Sequence, residues 1–247
     1  MTKKTGVLSG KVVLVTGGAK RLGRAIALAA AEQGADVAIT FLSSGHEARA
    51  VVRELARRGA GALAVRCDVT DELGVREMVR EVAREFGGID ILVNNAANYE
   101  DLQFEKLTAR KWDAIFASNA RGPFVVSHES LPYLKKRRGR IVTMGSLGGI
   151  RPWATHVHYC ASKAAVHMLT KAMAKALAPE IAVNAVAPGV INLGEKDRQA
   201  FMKRSAQRTP MRRTGTAADI TAAVMFFATA PSFITGQILA VDGGLGL

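Results

Sequence analysis

The sequence predicts an α/β protein: a single doubly wound domain over residues 1–247, with about seven parallel strands and helices on both faces. Three observations predict it. Short β-branched apolar runs recur from Val12 to Val241. Longer amphipathic helical stretches separate them, the pattern of a parallel sheet covered on both sides. A glycine-rich turn, Thr16 to Gly23, joins the first apolar run to the first helical one.

Each element has its own signal. Val12–Val15 is the first strand, and Leu22–Gln33, rich in alanine, is the first helix. Val37–Thr40 and Leu63–Val65 are strands, with a helix over Glu47–Arg58 between them and another over Glu72–Phe86 after them. Ile89–Val93 is the next strand. Lys111–Lys136 is one long helix with a break near Gly122-Pro123, since proline cannot complete the helical ladder. The strands Arg140–Met144 and Ala182–Val186 flank a helix over Val157–Leu177. A loop rich in Arg and Lys runs from Asn192 to Met211. Thr216–Ala228 closes the helices and Ile238–Val241 the strands.

Composition narrows the function classes. With 49% apolar and 22% charged residues in 247, the chain can bury a sizeable core and is not disordered. No apolar run approaches the ~20 residues that span a bilayer, and Met1 to Gly10 lacks the apolar centre of a signal peptide. Cys67 and Cys160 show neither metal-ligand nor framework spacing, so reduced thiols in a cytoplasmic protein are expected. His156, His158 and His167 lack acids at metal-binding spacing, and no metal is expected. The net charge of +13 points to nucleic acid, an acidic partner protein or an anionic ligand. The basic residues are dispersed, however. The densest group, Lys135 to Arg138 with Arg140, has no interleaved aromatics and reads as a solvated helix end.

Two clusters carry chemistry. In the Thr16–Gly23 turn, glycines let the backbone approach a pyrophosphate while the next helix aims its first amides at the anion. The second strand ends Thr40-Phe41-Leu42-Ser43-Ser44, with no acid before Glu47 to accept from a ribose hydroxyl. Lys20, Arg21, Ser43 and Ser44 offer charge and hydroxyls to a 2′-phosphate instead, so NADPH is expected over NADH. The second cluster is Tyr159 and Lys163, four apart on one helix face. A cation beside a phenol lowers its pKa from ~10 towards the range useful for proton transfer.

Taken in order, these motifs resemble the short-chain dehydrogenase/reductases over essentially the whole chain. Thr16–Gly23 resembles the family's T-G-x3-G-x-G, with Arg21 for the middle glycine, and Asp68-Val69 the pair that contacts adenine. Asn94-Asn95-Ala96-Ala97 resembles N-N-A-G, and Asn119, Ser146, Tyr159 and Lys163 match the catalytic tetrad. Pro188-Gly189-Val190-Ile191 resembles the segment that meets the nicotinamide, and Asp242-Gly243-Gly244 the C-terminal signature. The resemblance implies a Rossmann-type domain that binds NADP(H) through Gly17, Lys20, Arg21, Leu22, Gly23, Ser43, Ser44, Asp68, Val69, Asn95, Ala96, Ala97 and the Pro188–Ile191 segment, with Tyr159 and Lys163. It further implies that Tyr159 protonates a carbonyl oxygen, Ser146 hydrogen-bonds that oxygen, and Lys163 lowers the tyrosine's pKa and holds the ribose. Asn119 would hold a water linking Lys163 to solvent.

Within the family, Ala19 to Gly23, Ser44 and Leu193 resemble the pteridine reductases. Ser146 stands where those of the parasite type carry aspartate, and serine suits a carbonyl oxygen rather than a ring nitrogen. The 3-oxoacyl-carrier-protein reductases are the other close group. Reduction of a small carbonyl substrate, ketone or 3-oxoacyl, free or carrier-bound, therefore ranks before reduction of a dihydropteridine. A nucleotide-sensing or nucleic-acid-binding protein without turnover is the reading from another class, and the intact Ser146, Tyr159 and Lys163 argue against it. Substrate choice is expected in the Asn192–Met211 loop, with Tyr99, Trp153 and His156 as walls. A homotetramer is implied, its subunits meeting through the helices that begin at Lys111 and Val157.

Overall fold

The computed structural model describes residues 6–194 and 198–247. Its strands are β1 Val12–Val15, β2 Asp36–Phe41, β3 Ala62–Arg66, β4 Ile91–Asn94, β5 Arg140–Met144, β6 Ala182–Pro188 and β7 Ile238–Val241. The α-helices are α1 Arg21–Glu32, α2 Gly45–Arg57, α3 Glu72–Phe86, α4 Ala109–Phe116, α5 Gly122–Arg137, α6 Val157–Leu177, α7 Gln199–Arg208 and α8 Ala217–Thr229. The strands form one sheet in the order β3-β2-β1-β4-β5-β6-β7, and every neighbouring pair is parallel.

The alternation of side chains along each strand divides the core in two. Val13 and Val15 of β1 join Ile26, Ile39, Ile220 and Val224 under α1 and α8. Val12 and Leu14 join Met78, Leu92, Val126 and Ile141 under α3 and α5. Both faces are covered, which is why these strands read as unbroken apolar runs. Each fully buried Leu or Ile among them contributes roughly 1.5–3 kcal/mol.

Helix ends follow local chemistry. Asp71 caps α3 by accepting from the Leu73 amide, and Gly87 ends it at φ 76°. Thr216 and Asp219 form a reciprocal capping box on α8. α1, α2 and α3 each pass into the next strand through a left-handed glycine (Gly34, Gly59, Gly87), and α5 through Arg138 in the same conformation.

Three elements differ from expectation. The strand expected from Ile89 begins at Ile91, because the Asp90 carboxylate accepts from the Val12 amide and from Lys11 Nζ, both at 3.0 Å. The long helix expected over Lys111–Lys136 is α4, a π-helical turn over Ala117–Arg121, then α5. Pro123 lacks the amide that would close an α-helical bond to the Asn119 carbonyl, so the turn widens there. The stretch expected as a loop from Asn192 to Met211 contains α7, with Met202 and Ser205 turned inward, while residues 195–197 lie outside the described residues. Among the described residues no helix is long and apolar enough to cross a membrane.

Candidate active site

The strand order reverses between β1 and β4, and a cleft of about 1310 Å³ lies along the C-terminal strand ends at that point. Parallel α/β sheets hold ligands at such a reversal, because the flanking loops diverge there.

One end of the cleft is the glycine turn. Thr16 Oγ1 accepts from the amides of Asn95 and Ala96, both at 3.0 Å, and Asn95 Nδ2 donates to the Thr16 and Gly17 carbonyls at 2.9 and 3.1 Å. A Cβ at residue 23 would sit 2.2 Å from the Gly17 oxygen, so only glycine lets the helix start that close to the turn. Lys20 is the N-cap of α1, its side chain makes no capping bond, and the first turn carries no acid. The positive end of α1 therefore faces the cleft with no anionic side chain capping it, which fits a phosphate.

Of the residues expected to hold a dinucleotide, Gly17, Lys20, Arg21, Leu22, Gly23, Asp68, Val69, Asn95, Ala96, Ala97, Pro188, Gly189, Val190 and Ile191 line this cleft. Ser43 and Ser44 do not. Thr40, Phe41 and Leu42 form that wall instead, and Ser44 serves as the N-cap residue of α2. Lys20 and Arg21 line the cleft, and Lys20 Nζ pairs with Glu47 at 2.8 Å. Asp68 Oδ1 is held by the Thr70 amide and hydroxyl at 2.9 and 2.8 Å.

The other end gathers Ser146, Tyr159 and Lys163, all on the cleft wall. Lys163, 4% exposed, donates to the Met144 carbonyl at 2.7 Å and lies 5.9 Å from the centre of the Tyr159 ring. Burial lowers the lysine to about 8, which still leaves it an ammonium at neutral pH. Tyr159 is pushed up to about 12, chiefly by burial, against a hydrogen bond with Ser146 that favours the phenolate. The expected depression by Lys163 does not dominate: the ammonium is directed at the Met144 carbonyl, and desolvation of the phenol is the larger effect. Ser146 Oγ also accepts from the Gly148 amide at 3.0 Å.

Asn119 is fully buried and sits off the cleft wall. Its Oδ1 accepts from the Asn98 amide at 2.7 Å, and its Nδ2 donates to the Asn98 carbonyl and Ser162 Oγ at 2.9 and 3.1 Å. The side chain is committed to bracing the strand-to-loop segment before Tyr99 against α6.

Tyr99, Trp153 and His156 all line the cleft around Tyr159. The Tyr99 hydroxyl bonds to His156 Nε2 at 2.5 Å, and its ring meets that of Tyr159 edge-on at 5.1 Å. Burial keeps His156 below its ordinary pKa and hence neutral. Phe201 and Met202 of α7 complete the apolar side. Sequence reasoning missed these two because α7 was hidden in a run dominated by Arg and Lys, although two apolar neighbours one turn from Ser205 were a signal. Among the described residues no group of three His, Cys, Asp or Glu side chains is placed to hold a metal.

Fold and cleft define a doubly wound α/β protein with a dinucleotide-shaped site at its topological switch, and comparison with known proteins narrows that class. A family model described as enoyl-(acyl carrier protein) reductase matches residues 17–246. The 3-oxoacyl-(acyl-carrier-protein) reductase FabG of Staphylococcus aureus is 35% identical over 240 residues, covering 95% of this chain and 98% of its own. The same reductase of Thermotoga maritima is 36% identical over 243 residues, covering 96% and 98%. A short-chain dehydrogenase of Burkholderia cenocepacia, solved in complex with NADP, superposes with a TM-score of 0.92 at 38% identity, over 98% of this chain and 100% of that one. The chain belongs to the short-chain dehydrogenase/reductase family.

Proposed function

We propose that this chain reduces the carbonyl of a ketone or 3-oxoacyl substrate with NADPH, Tyr159 serving as proton donor. The observation that carries the reading is the gathering of Ser146, Tyr159 and Lys163 on one wall of a cleft whose far end is an uncapped helix start behind a glycine turn. The residues present fit the dinucleotide. Gly17, Gly23 and the first turn of α1 would take the pyrophosphate, Asp68 and Val69 the adenine, and Pro188 to Ile191 the nicotinamide. When bound, NADPH supplies the hydride that adds to the carbonyl carbon. Tyr159, held protonated by its burial, gives its hydroxyl proton to the carbonyl oxygen as the C–O double bond is lost, leaving an alcohol. Ser146 Oγ, 3.0 Å from the Gly148 amide, is oriented to donate to that oxygen as charge develops. The Lys163 ammonium, one helical turn from Tyr159, places positive charge beneath the phenolate that forms. Asn119 acts by fixing the backbone ahead of Tyr99.

Serine at 146 favours a carbonyl over a dihydropteridine, and Tyr99, Trp153, Phe201 and Met202 give the substrate an apolar wall. The basic surface suits an acidic carrier, and the exposed Met168 of α6 and Phe124 of α5 suit assembly into a homotetramer. The test is NADPH consumption against acetoacetyl thioester, diketones and dihydropteridines. Turnover of the first two is expected, and Tyr159→Phe should lower kcat by roughly 10²–10⁴ with NADPH affinity retained. Turnover of dihydropteridine alone would reverse the substrate ranking, and an active Tyr159→Phe enzyme would remove the proton donor from the scheme.

A further inference from the structure

Two helical turns beyond Tyr159, α6 buries a polar side chain that the reaction scheme leaves unused. His167 is 7% exposed, four residues after Lys163 and on the same helix face. A buried imidazole is costly unless its nitrogens find partners. Here Nε2 lies 3.4 Å from the Ser146 amide and accepts from it, while the backbone of Gly149 is the ring's second hydrogen-bonding neighbour.

The flanking glycines explain how the ring fits. A Cβ on residue 145 would sit 2.2 Å from His167 Nε2, and a Cβ on residue 149 would sit 2.8 Å from His167 Cε1. Neither glycine lies in the left-handed region, so neither is required by its backbone conformation. What they provide is room. Gly145 opens space for the imidazole, and Gly149 clears both the imidazole and the Lys163 backbone, 2.7 Å from where its Cβ would be.

We propose that His167 is a positioning residue: its imidazole, held between the backbones of Gly145 and Gly149, pins the main chain of Ser146 to α6 and so sets Ser146 Oγ beside Tyr159. This rests on the carbonyl-reductase reading above for its effect on rate, though not for its geometry. Burial, with Lys163 nearby, pushes His167 down to about 4, so the ring stays neutral and Nε2 stays an acceptor at working pH. Because the helix that carries Tyr159 and Lys163 also holds the loop that carries Ser146, the three groups move as one body.

The experiment is a double-mutant cycle on the full chain, read together with amide exchange. His167→Leu should lower kcat about tenfold, with NADPH affinity unchanged, and should raise hydrogen exchange in the peptide spanning residues 145–149. His167→Gln, which can accept through Oε1 and donate through Nε2, should restore both to within about threefold. In a Ser146→Ala background, His167→Leu should change kcat by less than about twofold, since the group it positions is gone. Equal losses in both backgrounds, a glutamine variant no better than leucine, or unchanged exchange would overturn the proposal. If the wild-type protein binds NADPH without reducing any carbonyl on the panel while exchange responds as described, the functional reading fails and the positioning stands.

Discussion

Replacing Lys163 by methionine should abolish turnover and yet make the protein more stable. The folded chain holds this ammonium at about 8 against an ordinary 10.5, with burial as the cause. Each tenfold difference in proton affinity is worth about 1.4 kcal/mol, so keeping the side chain charged in the core costs roughly 3 kcal/mol at neutral pH. The hydrogen bond to the Met144 carbonyl, lost in the variant, gives back about 1 kcal/mol of that. The net expectation is a gain of about 2 kcal/mol, or roughly 4–8 °C in Tm for a chain of this size. Because the folded pKa lies below the unfolded one, the penalty is complete below about pH 8 and fades as pH rises towards 10.5. Urea denaturation at fixed protein concentration should therefore show the variant ahead at about pH 7, with the wild type closing the gap by about pH 10. A variant less stable than wild type at neutral pH, or a gap indifferent to pH, would refute the reasoning. Such a pattern is a stability–activity trade-off at one atom.

Three smaller predictions concern the cofactor wall and the helix ends. Leu42→Asp, at the exposed end of β2, should move the preference from NADPH towards NADH by supplying a ribose acceptor and opposing a 2′-phosphate; an unchanged ratio of kcat/KM for the two cofactors would count against Lys20 and Arg21 as the phosphate site. Arg138→Gly should raise the urea midpoint by the equivalent of about 0.5–1 kcal/mol, since a residue with φ 48° is relieved of its Cβ clash. Thr216→Ala should cost about 1 kcal/mol by opening the α8 capping box. Arg213, then Thr216, hold the Asp219 carboxyl below the usual carboxylate range. That contribution is full above the unfolded pKa and lost as pH falls, so the Thr216→Ala deficit should shrink in acid melts.

How much of this was legible beforehand depended on the range of the physics involved. Strands such as Val12–Val15 and helices such as Val157–Leu177 declare themselves by local periodicity, and their order and lengths imply the sheet. The two ends of the cleft were readable because the glycines of the turn and the Tyr159–Lys163 spacing are local patterns with chemical meaning. What was hidden depends on partners distant in sequence. Nothing near Asn119 shows that its amide is taken up by Asn98 and Ser162. Nothing near Tyr159 shows that Lys163 reaches for Met144, or that burial outweighs a neighbouring charge. Ser43 and Ser44 had suitable chemistry, but the chain turned into α2 before they reached the wall. α7 was lost because a charged helix with a narrow apolar face looks like a loop until its packing is known.

The left-handed helix ends at Gly34, Gly59, Gly87 and Arg138 all lie on the edge of the sheet away from the cleft. The chain thus separates two kinds of information by location. Variation along that lower rim alters how much folded protein a cell holds, while variation along the upper rim alters what each folded molecule accepts. A new specificity can then arise by exchanging upper loops without renegotiating the architecture beneath them. A library scored both for abundance and for turnover per folded molecule would sort into two spatially distinct maps, one for each rim.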